Sequence, residues 1–388
     1  MSKIYKIGLP VKKVCWVISS PLIIRFFLIN QIEMLSREVD LTIITNVDDI
    51  SFASEIKGNF KIISIGVERK PSPLKDLKTL LQLLIIFRRE RYDLIHSLSP
   101  KTGLLGMIAA WLANTPLRVH TFQGEVWITR TGLWRFLLKT LDTVMARCAT
   151  HLLVVSRSEE SFLIREGVVS AGRLEMLANG SICGVDTARF RPDAEARVRV
   201  RELLGIPASD QVILYVGRFN IDKGLLDLAS AFARIKAAYP NAHLLFVGPD
   251  EENIRPKIEK ICDAFTHHLH FVGYTSQPEL YMAASDLLCL PSYREGFGMV
   301  LLEAAATGLP TIGSRIYGIT DAIVDGVTGL LFEPADVVDL TNKLMLLLND
   351  KALARRLGDA GQKRAHTDFR NDKVSLALLD YYRALLRA

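Results

Sequence analysis

Among its 388 residues the chain has only five cysteines, Cys15, Cys148, Cys183, Cys262 and Cys289, scattered singly and with no Cys-x-x-Cys pair. That spacing argues against a disulfide framework and a cysteine-based zinc site, and suits reduced core thiols in a cytoplasmic protein. No stretch is apolar over the roughly 18 residues a membrane span needs, because Arg25 interrupts the longest early run. The opening segment, residues 1–21, sets basic residues before a short apolar run but lacks a small-residue cleavage site, so no secretory leader is expected. There is no zinc-finger spacing, no RNP-type aromatic run and no basic tail, and a nucleic-acid partner is not expected.

What is present is ample material for packed cores: 49% hydrophobic residues against 23% charged. The length suits two domains of roughly 100–200 residues each. A formal net charge of +6 implies affinity for something anionic, either phosphates or lipid headgroups, with nucleic acid the weakest of the three.

Short β-branched apolar runs alternate with longer amphipathic ones, the pattern of βαβ units on a parallel sheet. In the first half the strand-like runs are Val14–Ser19, Leu41–Thr45, Lys61–Ile65, Asp93–His96, Leu117–Thr121 and Leu152–Val155. Helical patterns cover Leu74–Arg89, Gly103–Ala113 and Gly132–Ala149. In the second half the strand-like runs are Val212–Val216, Leu244–Val247, His270–Val272, Leu287–Leu290, Thr311–Gly313 and Gly329–Phe332. Between the halves, over Gly180–Asp193, the periodicity lapses and Gly, Pro and Asp accumulate as in a linker. The expected fold class is therefore α/β, two Rossmann-like doubly wound parallel-sheet domains facing across a cleft. Residues 1–185 would form the N-terminal domain and 186–370 the C-terminal one, with a last helix at about 370–388 packing back on the first. Ligands in such sheets bind beyond the carboxyl ends of the strands.

Two segments carry chemistry. In Val212–Gly224 a strand runs into a loop bracketed by Arg218 and Lys223, and a helix begins near Gly224. A bidentate fork, a point charge and free helix-end amides together make a diphosphate site; the alternative is a solvated loop with two surface charges. In Leu287–Pro310 a strand ends at Pro291, a loop carries Glu295, Gly296, Phe297 and Gly298, and a helix starts near Met299 and stops at Gly308. Its glycines let backbone approach a ligand while the helix amides face an anion. A carboxylate on that helix suits sugar hydroxyls rather than phosphate, so Glu303 is read as a ribose ligand and Glu295 as facing a transferred sugar. A surface glutamate is the alternative for Glu303, disfavoured by its apolar neighbours Leu301, Leu302, Ala304 and Ala305.

The set formed by the Arg218 and Lys223 loop, Phe271-Val-Gly273, the Glu295 to Glu303 element, Gly308-Leu-Pro310 and Asp325-Gly-Val-Thr-Gly-Leu-Leu-Phe-Glu-Pro-Ala-Asp336 resembles the retaining GT-B glycosyltransferases of family GT4, over roughly residues 205–350. The first half resembles them less sharply, through Tyr92–Ala113, Leu117–Gly124 and His151–Leu163. The resemblance implies a hexosyltransferase that takes a nucleotide-sugar donor, UDP-linked by expectation, and adds the sugar to a lipid-linked saccharide or glycan in bacterial surface polysaccharide biosynthesis. It implies that residues 1–185 bind the acceptor and 186–370 the nucleotide sugar, with Arg218 and Lys223 on the diphosphate, Glu303 on the ribose, and Glu295 with Gly296, Phe297, Gly298 and Gly273 about the donor. No metal and no cofactor are expected, in keeping with the lack of any Asp-x-Asp.

The sequence departs from that pattern in three places. Ser19-Ser20-Pro21 stands where many relatives have Gly-Gly, Gln123 stands where many have His, and the linker reads Cys183-Gly-Val-Asp186. Gln123 cannot act as a base but can bind a sugar hydroxyl. His120 is either a ligand or a satisfied structural histidine, and His96 either hydrogen-bonds a substrate or caps the next helix; these three are the acceptor-side candidates.

Trp127, Arg130, Trp134, Arg135 and Lys139 interleave with leucines, which suits either a helix at an anionic membrane surface or one packed on the N-terminal sheet. The expected location is cytoplasmic, or peripheral at the inner face of the cytoplasmic membrane. Two rival functions share the architecture: a sugar-nucleotide 2-epimerase, which would need cleft acids and bases not evident near Glu295, and a non-catalytic sugar-nucleotide-binding protein.

Overall fold

A computed structural model describes residues 11–46, 53, 56–67 and 72–387; the start of the opening segment, residues 1–10, lies outside them. The chain forms two units, one of Met1–Val155, Glu160–Cys183 and Val374–Ala388, the other of Ser156–Glu159 and Gly184–Lys373.

The first unit is built on seven parallel strands: β1 (Lys13–Val17), β2 (Asp40–Thr45), β3 (Phe60–Ser64), β4 (Leu94–Ser97), β5 (Leu117–Phe122), β6 (His151–Val154) and β7 (Leu174–Met176), in the order β3-β2-β1-β4-β5-β6-β7. The expected strands recur within two residues of their bounds. Edge strand β7 was not foreseen, since Leu-Glu-Met is too short to show a period. After β1 come α1 (Pro21–Ile23), a π-helical turn at Ile24–Leu28, and α2 (Ile29–Leu35). The connections α3 (Pro73–Glu90), α4 (Pro100–Leu112) and α5 (Gly132–Cys148) follow, then α6 (Arg157–Arg165).

The second unit starts with α7 (Ala194–Leu204) and carries β8 (Gln211–Val216), α8 (Leu225–Ile235), β9 (Ala242–Val247), α9 (Arg255–Ile261), β10 (Leu269–Val272), α10 (Pro278–Ala284) and β11 (Leu287–Leu290). It continues with α11 (Met299–Ala306), β12 (Thr311–Ser314), α12 (Ile319–Ala322), β13 (Leu330–Phe332), α13 (Val337–Asn349), α14 (Lys351–Asp368) and α15 (Asn371–Arg387). Its six parallel strands lie in the order β10-β9-β8-β11-β12-β13. In each sheet the order reverses once, between β1 and β4 and between β8 and β11. The loops leaving those strands diverge there and open the crevice in which such sheets bind ligands.

Most of α15 belongs with the first unit, where Leu378, Leu379 and Tyr382 join Trp16, Ile18 and Ile32 in one buried cluster. Inside it runs a polar chain whose direction is fixed by its members. Trp16 Nε1 can only donate, so Tyr382 Oη accepts from it at 2.9 Å and donates to His96 Nδ1 at 2.6 Å, and His96 Nε2 donates to Thr121 Oγ1 at 2.7 Å. Trp127, in the segment read from the sequence as either membrane-facing or packed on the sheet, is fully buried. Its Nε1 donates to Asp142 at 2.8 Å, its ring stacks on Phe162, and Arg135 and Lys139 lie over it while pairing with Glu166. A large ring with one donor is satisfied inside by a single buried carboxylate.

Five histidines are held neutral by their surroundings, in each case chiefly through loss of hydration. His96 and His120 are pushed down to about 3, and His268 and His270 to about 4. His243, between Asp210 and His270, is lowered as well. An unfolded histidine takes a proton near pH 6.5, so acid favours the unfolded chain: this stability is present above that pH and is lost as the pH falls toward the folded values. At about pH 5 each of the buried pair His96 and His120 costs about 2 kcal/mol relative to neutral pH. The melting temperature should therefore drop steeply between neutral pH and about pH 5, and a His96→Gln variant, less stable at neutral pH, should show a shallower dependence by thermal denaturation.

Candidate active site

The reversal between β8 and β11 brings the two chemistry-bearing segments together. From the end of β8 the chain passes Gly217 and Arg218, forms one 3-10 turn at Ile221–Lys223 and enters α8. From the end of β11 it passes Pro291, Ser292, Tyr293, Arg294, Glu295, Gly296, Phe297 and Gly298 and enters α11. Gly224, at φ +65°, joins them: a Cβ there would sit 2.0 Å from the Pro291 carbonyl oxygen, so only glycine lets the loops approach so closely. Gly318 does the same on the far side, where a Cβ would lie 2.5 Å from the Gly296 carbonyl oxygen.

Residues 293 to 295 each grip the first loop or the helix α8 that follows it. The Tyr293 amide donates to the Asp222 carbonyl at 2.8 Å and its hydroxyl bonds Asp227. The Arg294 guanidinium donates twice to Asp222 at 3.1 and 3.2 Å. Glu295 accepts from Lys223 Nζ at 2.5 Å and from Ser292 Oγ at 2.8 Å, with both members of the ion pair largely shielded from water. Arg218 is more open and pairs with Glu251 at 2.9 Å, while its carbonyl accepts from the buried Tyr215 hydroxyl at 2.9 Å. Burial raises that phenol's pKa, Glu295 adds to the rise and Arg218 opposes it. The Arg218 guanidinium and the Glu295 carboxylate of the Lys223 pair both lie within electrostatic reach of the Tyr215 hydroxyl at the end of β8.

On α11 the positions left partly open are Met299, Val300 and Glu303, which share one face; Leu301, Leu302, Ala304, Ala305 and Ala306 are buried. Among the described residues the Glu303 carboxylate has no hydrogen bond or ion pair. Burial pushes its pKa up to about 7, with Arg189 acting against the rise and Glu279 with it. Phe297 is buried against Phe369 and positions the loop. Gly273 lies at the end of β10, next to the Gly248 amide, which donates to the Gly273 carbonyl at 3.2 Å.

The acceptor-side candidates lie in the first unit and do not converge. His96 faces α15 with both ring nitrogens engaged, and His120 faces α4, bonded to Ser97 Oγ at 2.7 Å. The register pairing Ser97 with His120 puts the two histidines on opposite faces of the sheet. Gln123 sits at the end of β5 and donates to the Leu98 carbonyl at 2.6 Å. At the strand-order reversal, Ser19 and Ser99 meet at 3.1 Å and Ser20 caps α1 through the Leu22 amide. Ser292, Asp222, Arg294 and Glu251 in the second unit were not singled out from the sequence, whereas Ser19 and Ser20 were marked there as a departure from the family pattern. Their signal is positional, each lying within a few residues of a strand's carboxyl end at or beside a reversal point. Among the described residues no cluster of three or more His, Cys, Asp or Glu side chains is arranged to hold a metal ion.

Two family profiles match the chain: "Glycosyl transferases group 1" over residues 197–364 and "Glycosyl transferase 4-like domain" over residues 33–180. The chain is 31% identical over 289 residues to the UDP-Gal:alpha-D-GlcNAc-diphosphoundecaprenol alpha-1,3-galactosyltransferase of Escherichia coli, covering 74% of each protein. It is 29% identical over 325 residues to the capsular polysaccharide biosynthesis glycosyltransferase CapM of Staphylococcus aureus, covering 83% of this chain and 85% of that one. Among solved structures it resembles the sucrose-phosphate synthase of Thermosynechococcus elongatus, with a TM-score of 0.80 at 25% identity over 97% of this chain and all of the other. HepE of Anabaena, solved with UDP, shares the fold with a TM-score of 0.79 at 18% identity, over 96% of this chain and 100% of that one. With two doubly wound parallel sheets, a glycine-joined pair of loops at the second reversal point and these relatives, the chain belongs to the group 1, GT4-type glycosyltransferases of GT-B fold.

Proposed function

We propose that the protein transfers a hexose from a UDP-linked donor, with retention of anomeric configuration, to a lipid-linked saccharide in bacterial surface-polysaccharide assembly, working at the inner face of the cytoplasmic membrane. The donor and acceptor classes are supported by the name of the Escherichia coli relative, which specifies a UDP-sugar and a diphosphoundecaprenol-linked sugar. The observation that carries the reading is the pairing of Arg218 and Lys223 with carboxylates around one strand end. Exposed pairs such as Arg218–Glu251 contribute little by themselves, so a diphosphate with more charge and better geometry displaces Glu251.

In this reading Arg218, Lys223 and the first-turn amides of α11 take up the negative charge that grows on the departing diphosphate, a role that requires no metal here. As Lys223 moves to phosphate, Glu295 is released toward hydroxyls of the transferred sugar. Glu303 accepts from the ribose, and the Gly273, Gly296 and Gly298 backbone leaves room for the donor. The bond between the anomeric carbon and the phosphate oxygen breaks, and a bond to the acceptor oxygen forms on the same face. The acceptor's proton passes to a donor phosphate oxygen, so no protein base is needed. The first unit binds the acceptor, with Gln123 near the end of β5 as a hydroxyl partner; His96 and His120 hold the sheet that presents it.

Lys223→Ala should weaken binding of a UDP-sugar about 10- to 100-fold by isothermal titration calorimetry, the loss of one charge-assisted contact of about 1.5–3 kcal/mol. Binding undiminished in that variant and in Arg218→Ala would refute the assigned diphosphate site. Glu303 gives a second check. Its carboxyl holds a proton below about pH 7 and loses it above, so affinity for a UDP-sugar, whose diphosphate does not titrate in that range, should rise with pH through neutrality and then level. Glu303→Gln should bind more weakly and without that rise; a wild-type profile flat across the range would exclude a carboxylate contact to ribose.

A further inference from the structure

In the first unit α3, α4 and α5 pack side by side, α4 between the other two, and all three run in the same direction because each connects parallel strands. A helix covering a sheet ordinarily turns its polar side outward. Here each turns an apolar stripe outward instead. On α3, Leu74, Leu77, Leu81 and Ile85 recur at helical spacing and are 85%, 53%, 50% and 66% exposed. The opposite face of α3, with Thr79, Leu83 and Phe87, is the one buried on the protein. On α4 the partly open positions Leu104 and Ile108 lead to the exposed Trp111 and Leu112. On α5, Leu133, Phe136, Leu137 and Val144 face outward beside Trp134, while Met145 and Ala146 face in. One layer of three adjacent helices is therefore apolar on both of its sides, which a monomer in water does not need.

The charges on this layer identify its partner. Lys78, Arg88 and Arg89 lie on the exposed side of α3, and Arg130 and Arg147 are exposed just before and near the end of α5. The acidic residues of the three helices are withdrawn: Asp76 is paired with Lys101 at 2.6 Å, Glu90 with Arg89 at 3.1 Å, and Asp142 is buried under Trp127. A second copy docking face to face would set cations against cations. An apolar surface with cations at its margins and two open tryptophans matches the headgroup boundary of an anionic bilayer. Among the described residues no helix is long and apolar enough to cross a membrane, so the layer lies on the surface. We propose that the outward face of α3, α4 and α5 docks the protein on an anionic lipid bilayer; as the means of reaching a lipid-linked acceptor, this rests on the function proposed above.

The test uses the full chain with phosphatidylcholine vesicles that contain or lack phosphatidylglycerol. The wild type should float with the anionic vesicles only, less so in high salt, with a blue shift of tryptophan emission as Trp111 and Trp134 leave water. The combined variant Leu81→Glu, Ile85→Glu, Phe136→Glu, Leu137→Glu should lose at least about tenfold in vesicle affinity, given the apolar area removed. A separate variant, Lys78→Glu, Arg88→Glu, Arg89→Glu, should lose the preference for phosphatidylglycerol. Both should keep the wild-type melting temperature and UDP-sugar affinity. Docking is overturned if the wild type ignores anionic vesicles, if the folded variants float as it does, or if sedimentation shows a dimer that the same apolar substitutions abolish. Normal flotation with no transfer to any lipid-linked acceptor would instead reject the functional reading and leave the docking surface in place.

Discussion

Lys223 and Glu295 come from loops some seventy residues apart in sequence, and their ion pair ties the two loops at the second unit's reversal point together. Two charges removed from water must be well paired or the fold loses by it, and Ser292 satisfies a further acceptor site on the same carboxylate. Around that pair the Arg294–Asp222 and Tyr293–Asp227 contacts repeat the grip. The two segments therefore form one surface, held also by contacts that involve neither Lys223 nor Glu295. Preorganisation of this kind is what makes cations and helix amides effective on developing charge, because little reorganisation is left to the moment of reaction. It also explains the glycines, since a side chain at position 224 would push the Pro291 strand end away.

The first unit spends its polar residues differently. Trp16, Tyr382, His96 and Thr121 form a closed hydrogen-bonded chain in which every ring nitrogen and the phenol are used. Such a chain fixes how α15 seats against β1 and β4, while burial keeps His96 uncharged. The unit's distinctive surface lies on its helix layer, where the apolar pattern that usually marks an interior is turned outward.

Legibility followed the range of the physics involved. Periodicity is local, so twelve of the thirteen strands among the described residues were readable, and the sheets follow from them with the right-handed crossovers that parallel pairing requires. The residues proposed for the donor share a local signal of the same kind, since strand end, glycine and helix start lie within a dozen positions of one another. Pairings that cross the sheet were not. Nothing near Arg218 signals Glu251, and nothing in Arg294 signals Asp222. The amphipathic segment around Trp127 showed the difficulty most plainly. Composition suited both a membrane surface and a packed helix, and the structure divides the two among neighbours: the Trp127 ring is buried on Asp142 while Trp134, Phe136 and Leu137 carry the exposed face.

By itself the sequence determined the α/β class, the two sheets, the family and the positions of Arg218, Lys223, Glu295 and Glu303, because each depends on spacing along one strand–loop–helix unit. Tertiary structure alone decided that Lys223 holds Glu295, that burial lifts the Glu303 carboxyl toward neutrality, that His96 and His120 face opposite sides of their sheet, and that three helices present one apolar face. Those outcomes depend on which neighbours remove water from a group, and neighbours distant in sequence leave no trace in its local pattern.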